Sequence, residues 1–214
     1  MFEVRYLRAR LFRFLLDPFS RMTRRRRMQL FVKLMAPKPG TRILDLGGQP
    51  EIWDTVKPAL NITCLNLPGI AHRAHNTHHK ITYVEGDACN IPYYKPGDFD
   101  IVFSNSVLEH VGGQDKQMEF AREVQRISKL YWIQTPCKYY PIEAHCGMPF
   151  WWFYPEWLKS YFINGWAKKL PAWTEMVTST TVISKNELEY LLPGGTIITE
   201  WFVFPKSLIA FCAK

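Results

Sequence analysis

The stretch that most constrains this chain is residues 41–50, TRILDLGGQP. Its apolar run over 43–46 predicts a short buried strand, with Asp45 near the end of it. Gly47 and Gly48 then allow a tight turn in which the backbone can approach a ligand closely, because neither residue carries a Cβ. The proline and glutamate that follow are typical of the first turn of a helix. A strand, a glycine turn and a helix start in this order predict a ligand crevice at the carboxyl edge of a parallel sheet.

Two later segments make the prediction specific, namely 83–92 (YVEGDACNIP) and 99–111 (FDIVFSNSVLEHV). Together with LDLGG, these segments resemble the class I S-adenosylmethionine-dependent methyltransferases in order and spacing. The resemblance runs from about residue 42 to 135. The resemblance is to the small-molecule, type 11-like members. It implies an α/β, Rossmann-like class I methyltransferase fold with a seven-stranded, mostly parallel sheet whose last strand is antiparallel. It also implies S-adenosylmethionine as the cofactor.

The resemblance places the cofactor-binding residues after successive strands. The set is Asp45, Gly47, Gly48, Asn66, Leu67, Asp87, Ala88 and Asn105. Asp45 and the glycine turn are expected to hold the amino-acid end of the cofactor, Asp87 and Ala88 the adenine, and Asn105 lies beside the methyl end. Asn66 stands where the family usually has an acid that binds both ribose hydroxyls. An amide bonds one hydroxyl without charge assistance, so we expect the change to cost about 1 kcal/mol of affinity.

A hydroxyl acceptor also needs a base, and two histidines are candidates. His110 belongs to the Leu-Glu-His motif, where the resemblance allows a structural role as well as a catalytic one. His145, with Glu143, lies in the segment 137–171, which is rich in aromatic residues and proline. A charged pair in so apolar a run needs either a mutual partner or a polar substrate. We therefore select His145, His110 and Glu143 as the candidate catalytic residues.

The 137–171 segment resembles one that follows the fifth strand in many bacterial methyltransferases of sugar and polysaccharide pathways. In that position it covers the methyl end of the cofactor and forms the acceptor pocket. Two alternatives stay open: a hydrophobic lid whose Glu143 and His145 pair with backbone, and aromatic residues of 151–157 that rest on a membrane interface.

The positive charge of the chain is concentrated at its N-terminus. The net charge is +8, and residues 1–27 hold nine arginines against two acids, a local balance of +7. Apolar spacing predicts one helix before Pro18 and a second over 21–35. The arginine face is either solvated on a helical cap, bound to an anionic membrane or a phosphorylated, lipid-linked substrate, or bound to RNA. We divide the chain into a basic helical extension (1–36) and a methyltransferase domain (37–214).

Four histidines, at 72, 75, 78 and 79, make up a second polar group. Three of them could share a helical face, but no carboxylate or cysteine lies among them. We therefore expect a solvated surface helix and no metal site. Five cysteines without a C-x-x-C pair indicate reduced thiols and a cytoplasmic chain, which would sit peripherally at the inner face of the membrane if the arginine helix binds lipid.

The pattern favours in-line methyl transfer from S-adenosylmethionine to a small or lipid-linked acceptor, preferably a saccharide. An RNA methyltransferase guided by the arginine arm is an alternative, although no Asn-Pro-Pro-Tyr motif follows the fourth strand. A non-catalytic scaffold is another, suggested by Asn66 and the glycine-poor loop. For the rest of the chain we expect helices over 51–59, 115–128 and 185–192, and paired strands over 196–204 and 207–213 joined at residues 205–206.

Overall fold

The computed structural model describes residues 21–70, 75–143 and 145–213. It contains both strands and helices. In chain order they are α1 (21–35), β1 (Arg42–Leu46), a 3₁₀ helix (Pro50–Thr55), β2 (Asn61–Asn66), β3 (Lys80–Glu85), β4 (Ile101–Asn105), a 3₁₀ helix (Leu108–His110), α2 (Gln114–Ile127), β5 (Tyr131–Pro136), a 3₁₀ helix (Trp151–Phe153), α3 (Glu156–Ala167), α4 (Pro171–Ser179), α5 (Lys185–Leu191), β6 (Thr196–Phe202) and β7 (Phe204–Cys212).

The seven strands form one sheet in the order β3-β2-β1-β4-β5-β7-β6. Strands β1 to β5 are parallel, whereas β7 runs antiparallel to β5 and β6 antiparallel to β7. This confirms the predicted seven-stranded, Rossmann-like fold. The strand order reverses between β1 and β4, so the carboxyl ends of these two strands open a crevice at the edge where such folds bind ligands.

Each face of the sheet is covered by helices. On one face, Phe120 and Val124 of α2 and Leu188 of α5 are fully buried against the sheet. On the other face α1 inserts Phe31, whose ring meets Trp53, Phe103 and Trp132 edge-on at centroid distances of 5.4–5.6 Å. Burying an aromatic side chain of this kind contributes about 1.5–3 kcal/mol. Helix α1 is therefore one of the two layers that hold the sheet.

Most predicted elements are found where the sequence placed them, including α1, α2 and the capping box at Ser184 and Glu187 that starts α5. The helix expected over 51–59 is wrong, since only a 3₁₀ helix at Pro50–Thr55 forms. There Val56 is already extended, and the buried Trp53 fixes the segment against the core. The strand pair is also joined earlier than expected, at Val203 with φ +61°, and not at residues 205–206.

The histidine segment differs from its prediction too. His72 lies outside the described residues, and 75–79 contains no helix. His79 is buried, not solvated: its Nδ1 accepts from the backbone N–H of Leu60 at 3.2 Å, and its Nε2 contacts the carbonyl oxygen of Trp53 at 3.0 Å. These contacts hold β2 and β3 to the 3₁₀ helix.

The N-terminal prediction is covered in part. The helix expected before Pro18 lies outside the described residues, and the division at residue 36 stays a prediction. Of the four residues of α1 expected to face inward, Met28, Phe31 and Met35 are buried and Val32 is partly buried against the core. Among the described residues, every helix is too short or too polar to cross a bilayer.

Candidate active site

The glycine turn after β1 borders a cavity of about 410 Å³ at the carboxyl edge of the sheet. Gly47 has φ +71°, and a Cβ there would lie 2.3 Å from Cγ2 of Val107, so only glycine fits. The cavity is lined by residues of α1, β1, β4 and the turn: Arg24, Asp45, Gly47, Gly48, Gln49, Glu51, Ile52, Phe103 and Asn105. Four of the predicted cofactor residues therefore line one cavity.

Asp45 lies at the base of this cavity and is almost fully buried. Its Oδ2 accepts a hydrogen bond from the indole N–H of Trp53 at 2.8 Å. Burial raises the pKa of Asp45 to about 8, against the smaller opposing effect of the Trp53 hydrogen bond. A bound ammonium group would favour the ionised carboxylate, which suits the amino-acid end of the cofactor.

The predicted nucleoside residues lie at the ends of β2 and β3. The amide of Asn66 is buried and donates to the carbonyl oxygen of Gly48 at 3.0 Å, so this residue holds the glycine turn. Leu67 is exposed. The Oδ1 of Asp87 accepts from the backbone N–H of Cys89 at 2.8 Å, which fixes the turn containing the buried Ala88. None of the four predicted residues is among those that line the cavity, so their role toward the nucleoside stays a prediction.

Asn105 is held by a residue of the arginine-rich segment, which the sequence led us to consider a surface feature. Arg27 is only 5% exposed and bonds to Oδ1 of Asn105 and, at 3.0 Å, to Oε1 of Gln134. It also pairs with Glu200, Nη2 to Oε2 at 2.5 Å, and bonds to Ser207. The spacing of Arg27 four residues before Phe31 is the signal that could have placed it on the inner face of α1.

The three predicted catalytic residues come together. Nδ1 of His145 lies 2.6 Å from Oε1 of Glu143, and its Nε2 lies 3.0 Å from Nε2 of His110. The other oxygen of Glu143 accepts from the backbone N–H groups of His145 and Cys146, both at 2.6 Å. The alternative in which Glu143 and His145 pair with backbone therefore holds in part for Glu143, which accepts from two backbone N–H groups. The imidazole of His145 instead faces His110.

The pKa values in this cluster shift in the directions that a shared proton requires. Burial would raise the pKa of Glu143, but the hydrogen bonds from His145 and Cys146 outweigh it and lower the value. Burial would lower the pKa of His145, but the hydrogen bond to Glu143 outweighs it and raises the value. Burial and the charge of His145 lower the pKa of His110. His145 is therefore the imidazole that holds a proton more strongly.

Two residues that sequence reasoning did not select complete the cluster. The hydroxyl of Thr180 donates to the carbonyl oxygen of Met176 at 2.8 Å, so it accepts from Nδ1–H of His110 at 3.3 Å. Glu109 is fully buried, and burial raises its pKa to about 7. Its Oε2 accepts from the hydroxyl of Thr135 at 3.2 Å. Thr180 is far along the chain and carries no motif, so only the fold reveals it.

The cluster is tied to the cofactor cavity through one residue. The backbone N–H of His110 donates to the carbonyl oxygen of Val107 at 2.7 Å, and the side chain of Val107 closes against Gly47. The cavity and the histidine cluster therefore lie next to each other along the sheet edge formed by β1, β4 and β5.

Residues 54–130 match the family model for the methyltransferase domain of type 11. Among curated proteins, none matches the sequence significantly.

Several solved structures share the fold. Phosphoethanolamine N-methyltransferase 2 of Haemonchus contortus, solved with phosphomonomethylethanolamine and S-adenosylhomocysteine, is 15% identical with a TM-score of 0.51, over 80% of this chain and 38% of its own. A Haloferax volcanii protein described as a methyltransferase, in complex with the Trm112 activator, is 14% identical with a TM-score of 0.55, over 87% of this chain and 89% of its own. A Nostoc punctiforme protein described as an O-methyltransferase is 11% identical with a TM-score of 0.55, over 92% and 58%.

This chain spans about two fifths of the length of the Haemonchus contortus enzyme. A second structure of that enzyme contains S-adenosyl-L-methionine. At these identities the neighbours establish the fold, and the family model covers its central part. Residues 54–130 therefore resemble the methyltransferase domain family, and the sheet has the fold of these methyltransferase structures.

Proposed function

We propose that this chain transfers the methyl group of S-adenosylmethionine to a hydroxyl of a small acceptor, with a free or lipid-linked saccharide favoured. The observation that carries the proposal is the Glu143–His145–His110 cluster beside the cofactor cavity. The sulfonium is already activated for transfer, whereas a hydroxyl becomes a good nucleophile only when its proton can leave. A cluster of this kind is therefore of most use to an oxygen acceptor.

In this proposal the role of each residue follows from its position in the site. Asp45 and the glycine turn hold the amino-acid end of the cofactor, and Asp87 with Ala88 holds its base. Glu143 fixes Nδ1 of His145, so that Nε2 of His145 or its neighbour His110 receives the hydroxyl proton. The aromatic segment covers the site and excludes water. In-line alignment of oxygen, methyl carbon and sulfur then supplies most of the rate.

The rim of the site supports an acceptor held at a membrane. Trp157 and Tyr161 of α3 are 72% and 73% exposed, and Trp201 and Val203 at the β6–β7 turn are 66% and 84% exposed. The backbone N–H of Cys137, where the aromatic segment begins, donates to the carbonyl oxygen of Lys206 at 2.9 Å, which joins the start of that segment to β7.

Basic residues lie beside this rim. Lys206 also contacts Thr23 of α1, which brings the arginines at the start of α1 to the same edge. Aromatic and basic side chains together favour an anionic lipid surface. We therefore propose a cytoplasmic chain that works peripherally at the inner face of the membrane and takes a lipid-linked acceptor there.

The test is transfer of tritium from S-[methyl-³H]adenosylmethionine to a panel of acceptors. The panel contains free saccharides, a lipid-linked saccharide in vesicles, phosphoethanolamine (the class of acceptor used by the Haemonchus contortus neighbour) and a bulk RNA. Label in the saccharides that is lost in His145→Gln supports the proposal. The matched control is His75→Gln, because His75 also lies 2.6 Å from a carboxylate oxygen, that of Asp54, but far along the chain from the cluster.

Other outcomes separate the alternatives. Label in RNA alone, with strong salt dependence, would favour the arginine-guided RNA enzyme. No transfer, together with no binding of S-adenosylhomocysteine, would favour a non-catalytic scaffold. Sedimentation with vesicles of anionic lipid but not of zwitterionic lipid, weakened in Trp201→Ser/Val203→Ser, would support the membrane contact. Equal sedimentation of both proteins would contradict it.

A further inference from the structure

The polar cluster beside the cofactor cavity contains a set of groups with metal-ligand chemistry. One oxygen of Glu109, one ring nitrogen of His110 and one of His145 all lie within 4.8 Å of one another. The two imidazole Nε2 atoms are 3.0 Å apart. Ligands on adjacent positions of one ion at about 2.1 Å lie roughly 3–3.5 Å apart, so the histidine pair already has this spacing.

Glu109 supplies an independent observation. The residue is fully buried, and in the part of the chain that the structure describes, its Oε1 has no hydrogen-bond partner. Its Oε2 accepts from Thr135, which holds the carboxyl group in place. A buried carboxylate oxygen without a partner is costly, so it calls for a ligand.

In both histidines Nδ1 already has a hydrogen-bond partner, so Nε2 is the nitrogen left to bind an ion. Nδ1 of His145 faces Oε1 of Glu143, and Nδ1–H of His110 donates to Thr180, whose own hydrogen goes to Met176. Two neutral imidazoles arranged in this way bring two Nε2 lone pairs within 3.0 Å of each other. Such a contact needs either a proton between the nitrogens or a cation that lies off the line joining them, about 2.1 Å from each. Metal-bound histidines typically donate the other ring N–H to a carboxylate or a neutral oxygen, as both do here.

We propose that Glu109, His110 and His145 bind a divalent transition-metal cation, with Glu143 and Thr180 orienting the two imidazoles. Two nitrogens and one carboxylate oxygen suit Zn²⁺ and its first-row neighbours better than Mg²⁺ or Ca²⁺, which prefer oxygen ligands. His110 is exposed, so an ion held there would be accessible to an acceptor from the solvent side.

The binding site does not depend on the proposed function. The role that we give the cation in methyl transfer does rest on that function. A cation at this position would hold the acceptor oxygen and lower the pKa of its hydroxyl. The two histidines would then act as ligands and not as the base. The metal-bound hydroxyl would lose its proton to solvent water, and its oxygen would bond to the methyl carbon as the carbon–sulfur bond of the cofactor breaks.

The experiment measures cation binding to the full chain without cofactor or acceptor. After treatment with a chelator, the protein is titrated with Co²⁺ and followed by visible absorption, and Zn²⁺ is then added to displace it. We expect one ion per chain, with nitrogen and oxygen ligands and no sulfur-to-cobalt charge-transfer band. His145→Ala and Glu109→Gln should weaken binding more than about 100-fold, and Glu143→Gln about 10–100-fold.

Three controls make the result decisive. His75→Ala removes an imidazole that pairs with a carboxylate outside the cluster and should leave binding unchanged. Cys146→Ser should also leave it unchanged, because the thiol is no ligand in this proposal. Thermal unfolding of each variant shows whether it is folded. If Glu109→Gln does not fold, His110→Asn provides a second variant that lacks a ligand.

Absence of stoichiometric binding, or equal binding by wild type and the ligand variants, would overturn the metal site. Methyl transfer that persists in the presence of chelator would leave the proposed function standing with a proton between the two imidazoles. The two proposals therefore fail separately.

Discussion

Arg27 offers the sharpest test of how the site is supported. Its side chain is 5% exposed and that of Glu200 is 11% exposed, and they form a buried ion pair to which Asn105, Gln134 and Ser207 also bond. In Arg27→Ala the carboxylate of Glu200 loses its cation, and two amide oxygens lose a donor. Breaking a buried pair in this way costs about 3–5 kcal/mol of unfolding free energy, a large part of the stability of a typical domain.

Urea unfolding followed by circular dichroism measures this cost. With an m value of about 2–3 kcal/mol/M, the midpoint should fall by about 1–2.5 M. Arg25→Ala, which removes an exposed arginine from the same helix, should change the unfolding free energy by less than about 0.5 kcal/mol. The double variant Arg27→Met/Glu200→Leu should be more stable than Arg27→Ala, because no charge is left unpaired. A midpoint for Arg27→Ala equal to that of Arg25→Ala would refute the reasoning.

Three further predictions concern the glycine turn, Asp45 and the cap of α5. Gly47→Ala and Gly40→Ala both force alanine to a positive φ, but only at Gly47 does the new Cβ meet Val107; calorimetry with S-adenosylhomocysteine should show at least about tenfold weaker binding for Gly47→Ala and unchanged binding for Gly40→Ala. The folded pKa of Asp45, about 8, lies above its usual 3.8, so its contribution to stability is full below about pH 4 and is lost as the pH rises to about 8. Urea unfolding from pH 5 to 8 should therefore show a steeper fall for wild type than for Asp45→Asn, and equal slopes would contradict the burial of the proton. Ser184→Ala removes the acceptor for the backbone N–H of Glu187 and should cost about 1 kcal/mol, with no loss in Ser184→Asp, which keeps a capping oxygen.

The sheet and the cofactor edge could be predicted because their signals are local. A buried strand, a glycine turn and the acid Asp87 after β3 each occupy a few consecutive residues, and together they indicate where strands end. The same holds for the capping box of α5, whose two partners are three residues apart. Glu143 and His145 were found because a charged pair is conspicuous in an aromatic run.

What the sequence did not reveal depends on contacts between distant residues. Arg27 joins residues 78, 107 and 173 positions away, so its arginine-rich surroundings suggested a solvated face although its own side chain is buried. The failed helix over 51–59 has the same origin, since Trp53 is fixed by packing against Phe31 and Phe103 and not by helical periodicity. His79 was judged by its polar neighbours in sequence, whereas Leu60 and Trp53 supply its partners in space.

Isothermal titration with S-adenosylmethionine and with S-adenosylhomocysteine measures whether the cavity after β1 binds the cofactor. The wild-type chain should bind one molecule of each with micromolar affinity, and Asp87→Ala should lose most of that affinity while unfolding at a similar temperature. The absence of binding heat and of any thermal shift with either compound would contradict cofactor binding in this cavity.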